Sequence, residues 1–341
     1  MEDATLTLLH NAYKHLDKKN SYLRLLFVDF SSAFNTIQPY VLIDKLNSMG
    51  VHASIIKWID SFMFNRTQYV TVNEVVSSIM HISTGAPQGC VISPILFILY
   101  TNDCVCYQND CLMLKFADDT ILAGLISNSE TNYRNAIVHL AEWCSKNFLH
   151  LNATKTKEIV IDYRTKANTI HPVHVDTTEI EQVTSYKYLG THFDSKLSWK
   201  ANTDAVYKKG QQRLHFLRRL RFFNVNRKIM LLFYTTFIQS VLTSNFLIWY
   251  GSLTVQGKNK LNKIVKTASK VCGANLDNLD KLYKKQALRK VNKIIKDASH
   301  NLHNEYSFLP SGRRIRSLAC KTTRSCRSFV PNSIRLFNDN K

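Results

Sequence analysis

The chain has 341 residues, 45% of them hydrophobic and 11% aromatic, which is ample for packed cores and excludes a disordered chain. Its net charge of +20 is unevenly spread: residues 1–194 carry 15 Lys and Arg against 19 Asp and Glu, whereas residues 195–341 carry 30 against 6. This asymmetry points to a polyanion-binding half joined to a half of another kind, and nucleic acid is the commonest such polyanion. Met1 opens no charged-then-apolar leader, and there is no run of about 18 apolar residues, so secretion and membrane insertion are not expected. An intracellular location, nucleus or cytoplasm, is expected, where the eight cysteines stay thiols.

Residues 4–16 have the apolar spacing of a helix. Residues 22–30 read as a near-continuous apolar strand of the kind buried on both faces, with Asp29 close to its C-terminal end. A turn through residues 31–36 leads to a helix near 41–49, ended by Gly50, and residues 54–64 predict another helix. Residues 68–73 and 78–83 predict a hairpin. In residues 84–94 two glycines and two prolines bracket a loop, followed by a helix over 95–100. Glycine permits close backbone approach, so a base or sugar could lie against this loop; a plain connector is the alternative.

Asp118 and Asp119 sit between two apolar, β-prone runs. Neighbouring strand residues point to opposite faces, so the pair serves one site only at a hairpin tip. Two carboxylates this close repel, and a divalent cation is the counter-charge that removes the conflict. A polar two-residue turn is the simple alternative. Asp29, at the end of another buried strand, could be a plain helix cap, but paired with Asp118 it could converge on a cation pair, as in two-metal phosphoryl transfer.

Residues 131–147 predict a helix on the sheet, and a strand at 159–161 follows a loop in which Lys155 or Lys157 could protonate a leaving pyrophosphate. A solvated loop lysine is the commoner role of either. Residues 183–193 predict a tight hairpin with Gly190 at a close approach. Basic amphipathic helices, whose faces would neutralise phosphates, are predicted over 208–221, 258–270 and 281–296, and a long aromatic-rich helical stretch over 227–250. Residues 311–327 read as a loop-like basic tail, a localisation patch or an RNA contact. Cys320, Cys326, His300 and His303 are the one conceivable zinc cluster, but their spacing fits no finger or knuckle pattern.

Four segments then resemble, in order, motifs A, B, C and E of reverse transcriptases from non-LTR (LINE-type) retrotransposons: VDFSSAFN at 28–35, GAPQGCVISP at 85–94, FADD at 116–119 and YKYLG at 186–190. The resemblance implies an α+β fold, a polymerase palm with an antiparallel sheet and helices on one face, followed by an α-helical basic thumb and a C-terminal region. It implies a palm over 1–194, a thumb over 195–300 and a basic tail over 301–341. It implies catalytic Asp29, Asp118 and Asp119, with two Mg²⁺ ions (or Mn²⁺) held by Asp29 and Asp118. Phe30 and Phe34 would border the nucleotide, Phe34 excluding a ribose 2′-OH. Gln88 and Gly89 would line the template and dNTP pocket, Lys155 would lie in the motif D loop, and Tyr188, Leu189 and Gly190 would form the primer grip. The implied partners are an RNA template, a DNA primer and their hybrid.

In this family a fingers region precedes motif A and an endonuclease domain lies further upstream. Only about 28 residues precede Asp29 here, so the chain is expected to be the C-terminal part of a polyprotein. The alternative is a truncated, inactive remnant that only binds nucleic acid. Residues 199–251 also resemble a short domain named after the N-terminus of an AlkB-homologue tRNA-modifying oxygenase, without the 2-His-1-carboxylate set of that chemistry.

Overall fold

All seven residues of the Tyr22–Val28 strand are buried, as its near-continuous apolar sequence requires. In this computed structural model, which describes residues 2–165 and 169–340, that strand is the centre of a five-stranded sheet. The order is Glu181–Gln182, Lys157–Asp162, Tyr22–Val28, Asp119–Ile126 and Cys111–Phe116. The last two form an antiparallel hairpin in which Phe116 faces Asp119. The far edge departs from the expected antiparallel sheet: Glu181 pairs in parallel with Lys157, and Gln182 with Glu158.

The chain divides into two compact units, residues 24–160 with 166–183 and residues 1–23 with 161–165 and 184–341. In the first, the Thr131–Lys146 helix buries Tyr133, Ala136, Ile137, Leu140 and Cys144 and packs on the hairpin strands. Gly124 makes that approach feasible, because a Cβ there would lie 2.5 Å from the Tyr133 ring. Arg24, in the middle of the apolar strand, is fully buried and forms a fork to fully buried Glu158, Nε to Oε1 at 2.9 Å and Nη2 to Oε2 at 2.7 Å. Tyr133 Oη donates to the same carboxylate at 2.8 Å, and Glu130 pairs with Arg24 Nη1 at 2.8 Å. Every charge in this cluster is paired, which is the condition for burying it.

In the second unit the basic helices are Lys200–Phe222, Val255–Cys272 and Leu279–Lys296. The single helix expected over 227–250 is broken. It runs as Arg227–Phe233, a π-helical Tyr234–Gln239 and Ser240–Leu242, and restarts at Phe246–Trp249 after Asn245 at φ +50°. Hydroxyls bonding one turn back, such as Thr236 Oγ1 to the Leu232 carbonyl at 2.7 Å, accompany the distortion. Residues 311–327, expected as a loop-like basic tail, are irregular up to Thr322, whose Oγ1 donates to Asp17 Oδ1 at 2.7 Å, and helical over Thr323–Arg327; beyond them the Phe329–Asn338 helix buries Phe329, Val330, Ile334 and Phe337. Their helical spacing drives this despite the flanking arginines. Among the described residues no single helix is long and apolar enough to cross a membrane.

Candidate active site

The hairpin strands Cys111–Phe116 and Asp119–Ile126 are joined by Ala117 and Asp118, with Ala117 at φ +53°. Two-residue hairpin turns demand left-handed backbone, so alanine here is held against its preference. Asp118 lies at the tip and Asp119 opens the next strand, both exposed. Asp29 directly follows Tyr22–Val28, the sheet neighbour of the Asp119 strand. The Asp119 carboxyl is pushed above its ordinary range, first by partial desolvation and then by the charges of Asp118 and Asp29. Oδ2 of Asp29 is buried without a hydrogen-bond partner. Lys115, on the same hairpin, is turned away and donates to the Cys104 carbonyl at 2.7 Å. The charges of Asp118 and Asp29 thus both reach the Asp119 carboxyl.

A divalent cation fits this arrangement, since it would satisfy the stranded Asp29 oxygen and offset the clustered charge. Among the described residues no group of three or more His, Cys, Asp or Glu side chains is arranged to hold a metal ion. Mg²⁺ in phosphoryl-transfer sites takes one or two carboxylates together with waters and substrate phosphates, so a closed protein cage is not required.

Backbone contacts fix Asp29. Its amide donates to Thr156 Oγ1 at 3.2 Å and its carbonyl accepts from the Asn152 amide at 2.8 Å. The 152–156 turn is thereby tied to the acid. The turn also separates the two candidate lysines: Lys157 pairs with Glu181 at 2.7 Å, whereas Lys155 is exposed and makes no ion pair among the described residues.

The Phe30 and Phe34 rings rest on buried Phe97, with centroids 6.1 and 5.4 Å from it. Phe34 is half-buried. The Gly/Pro loop is sewn onto the same segment: Gly85 N donates to the Ile37 carbonyl at 2.7 Å, Ala86 N to the Phe34 carbonyl at 2.8 Å, and Gln88 Nε2 to Asn35 Oδ1 at 3.1 Å. Gly85 is the close approach, where a Cβ would meet Asn35 Cα at 2.8 Å; Gly89 is open and adopts φ +78°. Arg66, to which the sequence reading gave no role, donates from Nη2 to the Thr84 carbonyl at 2.8 Å and so pins the loop.

Tyr188, Leu189 and Gly190 belong to the other unit. Strands Ser185–Tyr188 and Thr191–Asp194 pair through a turn with Leu189 at φ +45° and Gly190 at φ +81°. Gly190 was expected at a close approach, but nothing lies within 4 Å of its missing Cβ; the turn needs glycine for its positive φ. Tyr188 is buried against Phe193, leaving the turn itself as the accessible part. Asn245, also missed by the sequence reading, donates from Nδ2 to the Leu189 carbonyl and to Thr191 Oγ1, each at 2.9 Å. The helix break at Asn245 thus serves to hold this turn.

An α+β sheet with three acids at a hairpin tip and the end of its central strand is the build of a polymerase palm. The family profile described as "Reverse transcriptase (RNA-dependent DNA polymerase)" matches residues 2–193. The chain belongs to the reverse transcriptase family, and within it to the LINE-type enzymes of non-LTR retrotransposons. It is 26% identical over 241 residues to the probable RNA-directed DNA polymerase from transposon BS of Drosophila melanogaster, covering 66% of this chain and 26% of that protein. To the RNA-directed DNA polymerase from mobile element jockey of the same species it is 26% identical over 268 residues, covering 73% and 28%. The chain thus spans about a quarter of the length of these relatives. Residues 199–240 match a profile described as "Alkylated DNA repair protein alkB homolog 8, N-terminal". Among solved structures, telomerase from Candida tropicalis with the TWJ fragment of telomeric RNA aligns at 13% identity and TM-score 0.43, over 88% of this chain and 51% of that one.

Proposed function

We propose that this chain carries the palm and thumb of an RNA-directed DNA polymerase, which extends a primer 3′-OH with dNTPs on an RNA template. The observation that carries the reading is the buried, unpartnered Oδ2 of Asp29 beside a carboxyl pair whose charges raise Asp119. Asp29 and Asp118 would hold two Mg²⁺ ions, or Mn²⁺, and Asp119 completes the acidic cluster. When bound, such ions supply the charge that activates the hydroxyl and stabilises the departing pyrophosphate.

The remaining roles fall to residues of this chain. Phe34, fixed on Phe97, blocks the position of a ribose 2′-OH, with Phe30 beside it. Gln88 and Gly89 border the nucleotide. Exposed Lys155, on the turn tied to Asp29, protonates the leaving pyrophosphate. Tyr188, Leu189 and Gly190 take the primer backbone, and the basic helices of residues 200–296 take the hybrid through its phosphates.

Primer extension on an RNA template with Mg²⁺ and dNTPs tests the proposal. The protein should extend the primer, and Asp118→Ala should abolish extension while leaving RNA binding intact. Protein that binds RNA and extends nothing would instead be a nucleic-acid-binding remnant.

A further inference from the structure

Residues 205–276 contain 13 Lys and Arg and no Asp or Glu. Within this stretch Phe216, Phe223, Phe233 and Phe237 line one cleft of about 680 Å³ together with Arg213 and Arg219. Phe216, Phe223 and Phe237 are 59%, 63% and 52% exposed. Scattered exposed rings are ordinary, but several converging on one concave surface call for an occupant. The rings are also held in place. Phe233 and Phe237 stack with centroids 4.9 Å apart across the start of the π-helical turn, Arg213 donates from Nη1 to the Phe237 carbonyl, and the Arg219 guanidinium lies 5.4 Å from the Phe223 centroid. Neither cleft arginine has a carboxylate partner among the described residues, where Asp280 pairs with Lys258 and Asp204 with Lys260.

We infer that this cleft is a stacking site for the unpaired bases of a single-stranded nucleic acid, with the arginines on the flanking phosphates. The inference rests on the proposed function's assignment of these helices to nucleic acid, and adds a base-stacking role for the rings of the cleft, which lie outside the acidic site. Flat π-faces alternating with guanidinium groups are what an unstacked strand requires, whereas a duplex keeps its base faces covered and offers mainly phosphates. A lipid surface calls for a convex apolar face with cations on the opposite side. Here rings and cations share one hollow.

Fluorescence anisotropy with a short labelled oligothymidylate and with the same backbone lacking bases provides the test. The protein should bind the oligothymidylate about tenfold more tightly than the abasic strand. The double variant Phe216→Ala, Phe237→Ala should lose that preference while binding the abasic strand as before, and Phe216→Tyr, Phe237→Tyr should restore it. Matching melting temperatures would show that both variants are folded. Asp118→Ala, which removes the proposed polymerisation, should keep the preference, so the two proposals fail separately. Equal binding of both strands by the wild-type protein, or an unchanged preference in the alanine variant, overturns the inference. Ring-dependent capture of phosphatidylserine vesicles or a Glu-rich peptide in place of the oligothymidylate also overturns it.

Discussion

The backbone amide of Asp29 donates to Oγ1 of Thr156 at 3.2 Å, joining the residue that follows the central strand to a threonine that is only 1% exposed. The contact fixes where the acid leaves the sheet, and the same turn carries Lys155, whose amide donates to the Asn152 carbonyl. Thr156→Val keeps the shape and removes the acceptor. It should cost about 1–3 kcal/mol in urea unfolding, because a partly buried amide loses its partner. Primer extension should slow while dNTP discrimination by Phe34 is retained; an unchanged extension rate would show that the turn does not position Asp29.

The raised Asp119 carboxyl makes a statement about pH. Its proton is held more tightly folded than unfolded, so its contribution to stability is full below its ordinary value of 3.8 and is lost as pH rises through the higher folded value. At neutral pH without metal the acidic tip therefore opposes folding. Asp119→Asn should melt higher than wild type at neutral pH, and the gap should close towards acid. Added Mg²⁺ should raise the wild-type melting temperature and do so less for Asp29→Asn. Calorimetry across this pH range, with and without Mg²⁺, reads both effects.

Gly85 and Gly89 should respond differently to alanine. At Gly85 the new Cβ would strike the Asn35 backbone at 2.8 Å, detaching the loop from the segment that carries Phe34. At Gly89, with open space around it, only the left-handed backbone is penalised, about 1–2 kcal/mol. Steady-state kinetics should show Gly85→Ala losing most of its extension activity and Gly89→Ala far less. Equal losses would mean that the docking of the loop is not what positions the nucleotide.

Arg24→Met should destabilise by about 3–5 kcal/mol, since it strands fully buried Glu158. Converting Glu158 to Leu as well should recover part of that loss, because the stranded buried charge is then removed. A double-mutant cycle by denaturant unfolding measures the coupling. Additive losses would contradict the pairing.

Much of the active site is readable along the chain because its chemistry is local. Adjacent acids between two β-prone runs belong near a hairpin tip, and they are found there: Asp118 lies in the two-residue turn with Ala117, and Asp119 opens the following strand. The apolar run before Asp29 likewise dictates a buried strand whose end emerges beside them. Arg24 was not legible in the same way. One cation in an apolar strand carries no sign that Glu158, distant in sequence, will neutralise it. Asn245 reads as an ordinary polar residue inside a helical pattern, and only its left-handed backbone and its bonds to the Leu189–Thr191 turn reveal its work. The apolar spacing of Phe329, Val330, Ile334 and Phe337 was present in the sequence but overshadowed by the arginines around it.

The sequence by itself determined the three acids, the glycines of the 84–94 loop and the basic character of residues 195–341, because side-chain identity, turn geometry and charge are properties of short segments. Tertiary structure decided which of two neighbouring lysines is free, why Gly85 and Gly190 are glycine for different reasons, and which rings share a cleft. Those outcomes depend on what residues far along the chain bring into contact, and no local pattern encodes that.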